Sequence, residues 1–176
     1  VNQNRDLLGE IDDDNEPLHQ TLFSTRTTDP PVLRWVVPFD GKFNIEVAAR
    51  EAGTLTGPRT SYRLRVAPPK PDFRAVVLPY SRYFPTGSAA WQEGTEGYDV
   101  FVHRIDGFNE PITIAADGLP AGVTAKPVTI GPGARYGVLA LRIGKDAKEF
   151  TGTFNVKATA TVNGKKVTDL VRPASI

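Results

Sequence analysis

The sequence has 176 residues, with 21 basic and 20 acidic side chains that leave a formal net charge of +1. It contains no cysteine, which excludes disulfide bonds, thiolate metal sites and thiol nucleophiles. Its basic residues are scattered, mostly at alternate strand positions such as Arg63 and Arg65, whereas duplex-binding proteins gather them on one face. We therefore expect no nucleic-acid partner. We also expect no membrane span, because no apolar run approaches about 20 residues.

Alternation of apolar and polar residues with a period of two dominates the chain and predicts an all-β fold. Glycine (16) and proline (15) interrupt these runs and keep them short. Between the last two runs, Asn163-Gly164 predicts a tight type I′ hairpin. In chain order, the predicted strands cover residues 32–37, 43–47, 61–66, 73–78, 98–104, 112–116, 138–143, 153–162 and 166–171.

The segment Ala67-Pro68-Pro69-Lys70-Pro71 predicts a stiff linker, residues 67–71, because three prolines cannot lie in a central strand. It separates a first module, residues 1–67, from a second, residues 71–176, and we expect both to be β-sandwiches. The second carries some seven strands at sandwich spacing. The first carries only four or five, so we expect it to be incomplete at its N-terminus, with its opening strands upstream of Val1 or supplied by a preceding segment.

Five short motifs follow one another in the first module: Asp12-Asp13-Asp14, Thr28-Asp29-Pro30, Leu33-Arg34-Trp35, Pro38-Phe39-Asp40-Gly41-Lys42-Phe43 and Ser61-Tyr62-Arg63-Leu64-Arg65-Val66. Together they resemble the later half of the bacterial pre-peptidase C-terminal domain, a β-sandwich appended to secreted enzymes and surface proteins. That family ends in a "DG-x-Y" turn and a "Y-x-L-x-V" strand, and here Phe43 stands where tyrosine is usual. The family's opening strands are absent.

The second module carries three further motifs, in residues 102–108, 112–114 and 118–123. They resemble an immunoglobulin-like sandwich, and the turn Gly118-Leu119-Pro120-Ala121-Gly122-Val123 is similar to an "LP-x-GV" turn of NEW3-like domains in glycosidases. The Cys–Trp–Cys framework of antibody domains is missing, so the kinship is architectural. Both resemblances imply a secreted or surface protein of bacteria, with an accessory role beside neighbouring domains of the same polypeptide.

The acidic cluster Asp12, Asp13 and Asp14 is the candidate metal site, because calcium prefers six to eight hard oxygen ligands. Asp29 and Asp40 follow in the same module and could complete the shell. Some collagen-binding relatives in the pre-peptidase C-terminal family bind calcium. The EF-hand pattern is not met, and the alternative is a solvated turn, which aspartate also favours.

Four aromatic residues, Tyr80, Tyr83, Phe84 and Trp91, lie in a long segment between two predicted strands. Such loops often carry binding, here by stacking on sugar or docking on protein. We nevertheless expect the rings to be buried over an open end of the sandwich, because exposed aromatic patches are costly unless used. We place Trp35, which alternates with its apolar neighbours in a predicted strand, in the core.

No catalytic centre is predicted. The sequence has two histidines, His19 and His103, and no nucleophile motif lies near either one; residues 87–90 lack the second glycine of a nucleophile elbow. The leading hypothesis is a non-catalytic accessory or adhesion module pair of a larger secreted or surface protein. The alternative is a specific carbohydrate- or protein-binding module that uses the loop aromatics. A third hypothesis, a hydrolase fragment, requires a cleft with convergent polar groups.

Overall fold

The computed structural model describes residues 6–11, 33–48, 61, 63–79 and 88–173. The chain divides into two compact units, Val1–Pro69 and Lys70–Ile176, and the division falls inside the predicted proline-rich linker. The described residues form strands, turns and loops without any helix, so the predicted all-β class is confirmed. In this part of the chain, no helix is long and apolar enough to cross a membrane.

The described part of the second unit contains nine strands, and six of them overlap the six runs that the sequence predicts between residues 73 and 171. The strands are β1 Asp72–Pro79, β2 Thr95–Ile105, β3 Ile112–Asp117, β4 Val123–Ala125, β5 Val128–Ile130, β6 Tyr136–Ile143, β7 Asn155–Val162, β8 Lys165–Leu170 and β9 Arg172–Pro173.

These strands form a two-layer sandwich with an immunoglobulin-like strand order. One sheet has the order β4-β6-β2-β1-β9 and the other β5-β3-β7-β8. The strand order β1-β2-β6-β4 corresponds to strands A-B-E-D of an immunoglobulin constant domain, and the order β3-β7-β8 corresponds to strands C-F-G. The pairs are antiparallel except β1 with β9, where Val76 lies beside Arg172 and Val77 beside Pro173. The chain therefore leaves the second sheet after β8 and closes against the edge of the first.

The core lies between the two sheets and is built from alternate residues of the central strands. In β7, Val156, Ala158 and Ala160 are buried and Val162 is partly buried, as the alternation predicts. Phe73 and Phe108 stack with ring centroids 5.4 Å apart. Each fully buried large side chain stabilises the fold by about 1.5–3 kcal/mol. The core comprises Phe73, Val100, Val102, Phe108, Ile112, Ile114, Ile130, Leu139, Leu141, Val156, Ala158, Ala160 and Val171.

The predicted hairpin between β7 and β8 is present. Asn163 and Gly164 have φ angles of 49° and 75°, and Val162 pairs with Lys165 across the turn. Positive φ at both central residues is the signature of a type I′ turn, whose twist matches that of the flanking strands.

Arg104 binds the two loops that contain Glu110 and residues 131–134, at the end of the sandwich where β2 terminates. Its guanidinium donates to the carbonyl oxygens of Glu110 at 2.8 Å, Gly131 at 2.6 Å and Ala134 at 3.1 Å. It also lies 5.6 Å from the centre of the Phe108 ring, and burial lowers the pKa of the guanidinium. Because its donors serve three carbonyls, Arg104 has a structural role.

The first unit departs from the sequence-based prediction. No strand is found in the described residues of the three runs 32–37, 43–47 and 61–66. Leu64 alternates with Arg63 and Arg65 in the run 61–66, a pattern that predicts an inward-facing side chain. It is 52% exposed, so that prediction is wrong. Alternation determines which side chains share a face, but it does not guarantee that a second layer covers that face.

Trp35, predicted to lie in the core, is 38% exposed, so that prediction is also wrong. Its ring packs edge-to-face on the Phe43 ring, with centroids 5.0 Å apart. The centroid of the Phe39 ring lies 5.2 Å from that of the same Phe43 ring. These three rings form a local aromatic cluster. Local ring contacts of this kind explain why Trp35 is only partly covered while its apolar neighbours along the chain remain exposed.

Candidate functional site

Trp91 occupies the first position of a tight turn that leads directly into β2. The backbone N–H of Gly94 donates to the Trp91 carbonyl at 3.0 Å. Glu93 adopts φ of 60°, which non-glycine residues rarely do. A Cβ on Gly94 would lie 2.9 Å from the Trp91 carbonyl oxygen, so the turn requires glycine there. The indole itself is 83% exposed.

The Trp91 turn is fixed to Ala147, a buried residue, and to Ile143 at the end of β6. The Gln92 side-chain amide donates to the Ala147 carbonyl at 2.7 Å. The N–H of Ile143 donates to the Gly94 carbonyl at 3.0 Å. The turn is therefore held on both sides of Glu93, which keeps Trp91 in a defined position.

The "LP-x-GV" turn supplies the third loop of this junction. Gly144 N–H donates to the Gly122 carbonyl at 2.8 Å. Gly122 has φ of 84°, and a Cβ there would lie 2.7 Å from Ala147 Cα. Only glycine satisfies both the conformation and the close approach. We call the loops 88–94, 118–122 and 144–154 together the aromatic end of the sandwich.

Phe150 is a second exposed aromatic side chain of the aromatic end. It lies in the connection between β6 and β7, three residues after Ala147, and is 54% exposed. Sequence reasoning did not identify it as a binding residue. The sequence signal that could have identified Phe150 is its position among charged residues, outside the alternating run that begins at Thr153.

A partly buried polar pair joins the loop 88–94 to β2. The hydroxyl groups of Ser88 and Tyr98 share a short hydrogen bond, and the Tyr98 ring packs edge-to-face on Phe154 at 5.2 Å. Burial raises the pKa of the Tyr98 hydroxyl, and the nearby Glu96 carboxylate raises it further, against the lowering effect of Ser88.

Glu96 neighbours this polar pair on β2. Burial raises the pKa of its carboxyl above the usual 4.5. Within the described part of the chain, its Oε1 atom is the buried side-chain oxygen that has no hydrogen-bond partner. A buried acceptor without a donor destabilises the charged form, which is the same direction as the rise in the pKa of Glu96.

His103 and Asp99 share a strand face, but they do not form a catalytic relay. Their positions are four residues apart on β2, or about 13 Å at strand spacing. Asp99 Oδ1 accepts a hydrogen bond from the Tyr136 hydroxyl at 2.8 Å, whereas His103 is exposed and lies opposite Arg74 in the sheet. Orienting a histidine base requires direct contact with the carboxylate, which this spacing rules out.

The structure describes one of the five predicted calcium ligands, Asp40. Asp12, Asp13, Asp14 and Asp29 lie outside the described residues, as does His19. Asp40 lies in an exposed bend. Among the described residues, no three His, Cys, Asp or Glu side chains are grouped so that they could hold a metal ion. The calcium site therefore stays a prediction.

Of the four predicted loop aromatics, Tyr80, Tyr83 and Phe84 lie outside the described residues. The expectation of burial is wrong for Trp91, which is 83% exposed. The physical reason is the turn itself: its hydrogen bonds fix the backbone against Ala147 and leave the indole outside the packed loops.

A scan against protein-family models found no matching family, and a search of curated proteins found no match.

Proposed function

We propose that the chain is a non-catalytic accessory or adhesion module pair of a larger secreted or surface bacterial protein, and that its second unit binds its target through Trp91. The observation that carries this proposal is the exposure of an indole on a turn fixed by hydrogen bonds. Tryptophan is highly buried on average, so a tryptophan that is 83% exposed is an informative exception. Tryptophan is also among the residues most often found to dominate binding energy at interfaces.

The free energy gained by covering the Trp91 indole is large enough to support binding. Covering about 150–200 Å² of the indole would contribute about 4–5 kcal/mol before the costs of association. Because the turn is already ordered by its bonds to Ala147 and Ile143, little conformational entropy is lost on binding. A rigid turn that presents one large ring is thus well suited to adhesion.

Two features support a non-catalytic role. Asp99 is bound by Tyr136 and is separated from His103 along β2, so this acid–histidine pair lacks catalytic geometry. The resemblances to the pre-peptidase C-terminal and NEW3-like domains also imply accessory modules. They are the basis for proposing secretion, neighbouring catalytic or surface domains, and calcium binding by the first module.

The experiment is co-sedimentation of the 176-residue chain with insoluble cell walls of bacterial and plant origin. We expect the parent chain to pellet with at least one wall preparation and Trp91→Ala to remain in the supernatant. Leu170→Ala is the matched control, because Leu170 is an exposed apolar residue on β8 of the other sheet. The proposal fails if no preparation retains the parent chain, or if Trp91→Ala is retained as strongly as the parent.

A further inference from the structure

Two exposed aromatic rings lie on loops that share one junction. The Gln92 amide, next to Trp91, is bonded to the Ala147 carbonyl, and Phe150 follows Ala147 by three residues. Three residues span at most about 11 Å. The loop that carries Phe150 is therefore hydrogen-bonded to the Trp91 turn within a few residues of each ring.

The side chains next to the two rings are charged and exposed. Glu93 lies in the Trp91 turn, and Lys145, Asp146, Lys148 and Glu149 precede Phe150. The two lysines balance the two acids of that loop, so it has no net charge. Lysine, glutamate and aspartate are depleted at the centres of protein–protein interfaces. This composition argues against a protein partner and against a highly charged polymer.

We propose that Trp91 and Phe150 form a platform for the pyranose rings of a neutral polysaccharide. This inference rests on the proposed function and names its ligand class. One face of a pyranose ring presents C–H groups, which cover the apolar face of an indole or phenyl ring. Its hydroxyl groups point outward in the ring plane, where carboxylates accept from them and ammonium groups donate to them. An aromatic ring beside alternating acids and lysines supplies both kinds of contact.

The test is native gel electrophoresis of the 176-residue chain in gels that contain a soluble polysaccharide. The neutral probes are barley β-glucan, xyloglucan, arabinoxylan and galactomannan, and the anionic controls are alginate and polygalacturonate. We expect at least one neutral polysaccharide to retard the parent chain. Trp91→Ala and Phe150→Ala should each weaken that retardation at least tenfold, whereas Leu170→Ala should leave it unchanged. All three positions are exposed, so the variants should melt at the temperature of the parent.

The inference is overturned if no neutral polysaccharide retards the parent chain, if only the anionic polymers do, or if either aromatic variant is retarded like the parent. Two treatments of the cell walls distinguish failure of the polysaccharide inference from failure of the proposed function. Periodate cleaves sugar diols, and protease removes wall proteins. Wall binding that depends on Trp91, survives periodate and disappears after protease treatment would retain the proposed function and reject the polysaccharide.

Discussion

Gly122 is the residue on which the geometry of the aromatic end depends most directly. Alanine at this position would keep φ near 84°, which costs about 1–2 kcal/mol for an L-residue. Its Cβ would also lie 2.7 Å from Ala147 Cα and 2.9 Å from Ala147 Cβ, and overpacking of this kind costs about 1–3 kcal/mol more. We therefore expect Gly122→Ala to lower the free energy of unfolding by about 2–5 kcal/mol.

Gly118 provides the matched control in the same loop. Its φ is 74°, but nothing lies within 4 Å of the position that a Cβ would occupy. Gly118→Ala should therefore cost only the backbone term, about 1–2 kcal/mol. The assay is urea unfolding followed by far-UV circular dichroism, which reports the strands of the second unit. Equal destabilisation by the two variants would refute the packing argument.

Three further predictions concern the core, the pH dependence and the metal. Leu139→Ala, at a fully buried position, should cost about 2–5 kcal/mol, whereas the chemically identical Leu64→Ala, at an exposed one, should cost little; equal costs would contradict the assigned burial. Because burial raises the pKa of Glu96 in the folded state, the folded protein binds its proton more tightly, and stability falls as pH rises above 4.5. Glu96→Gln should therefore raise the melting temperature more near neutral pH than near pH 4, and the same gain at both would be the wrong result. Millimolar calcium should raise the melting temperature through Asp13 and Asp40, more than magnesium does; absence of a shift in the parent chain would reject the site, and a shift that survives Asp13→Asn and Asp40→Asn would place it elsewhere.

The sandwich of the second unit was largely predictable because its signals are local. The run that became β7 alternates strictly, and burial of Val156, Ala158 and Ala160 follows from it. Asn163-Gly164 determined the hairpin through its preference for positive φ. Strands β4 and β5, at three residues each, were missed because so short a run shows no periodicity.

The first unit was not predictable in the same way. Leu64 belongs to a run that alternates as well as many in the second unit, yet it is exposed. Alternation describes one strand, while burial depends on what another part of the chain places over it. Trp35 shows the same limit, since its contact with Phe43 is local and covers only part of the ring.

The aromatic end depends on contacts between residues distant in sequence. The bond from Gln92 to Ala147 joins positions 55 residues apart, and no local pattern predicts it. Sequence reasoning found Trp91 as a candidate and then favoured its burial, because it could not tell that the turn is held with the indole outward. Gly122 was noted within a family-like turn, but the reason for the glycine appears only with Ala147 beside it.

The most direct test of the account is the accessibility of Trp91 to acrylamide in a Trp35→Phe variant, where the Trp91 indole is the sole source of tryptophan fluorescence. In the free protein we expect strong quenching, because the ring is 83% exposed. When the chain is saturated with a polysaccharide that retards it in native gels, we expect the acrylamide quenching constant to fall. The emission should also shift to shorter wavelength as the ring leaves water. A bound complex in which Trp91 is quenched as strongly as in the free protein would contradict the claim that this indole is the point of contact.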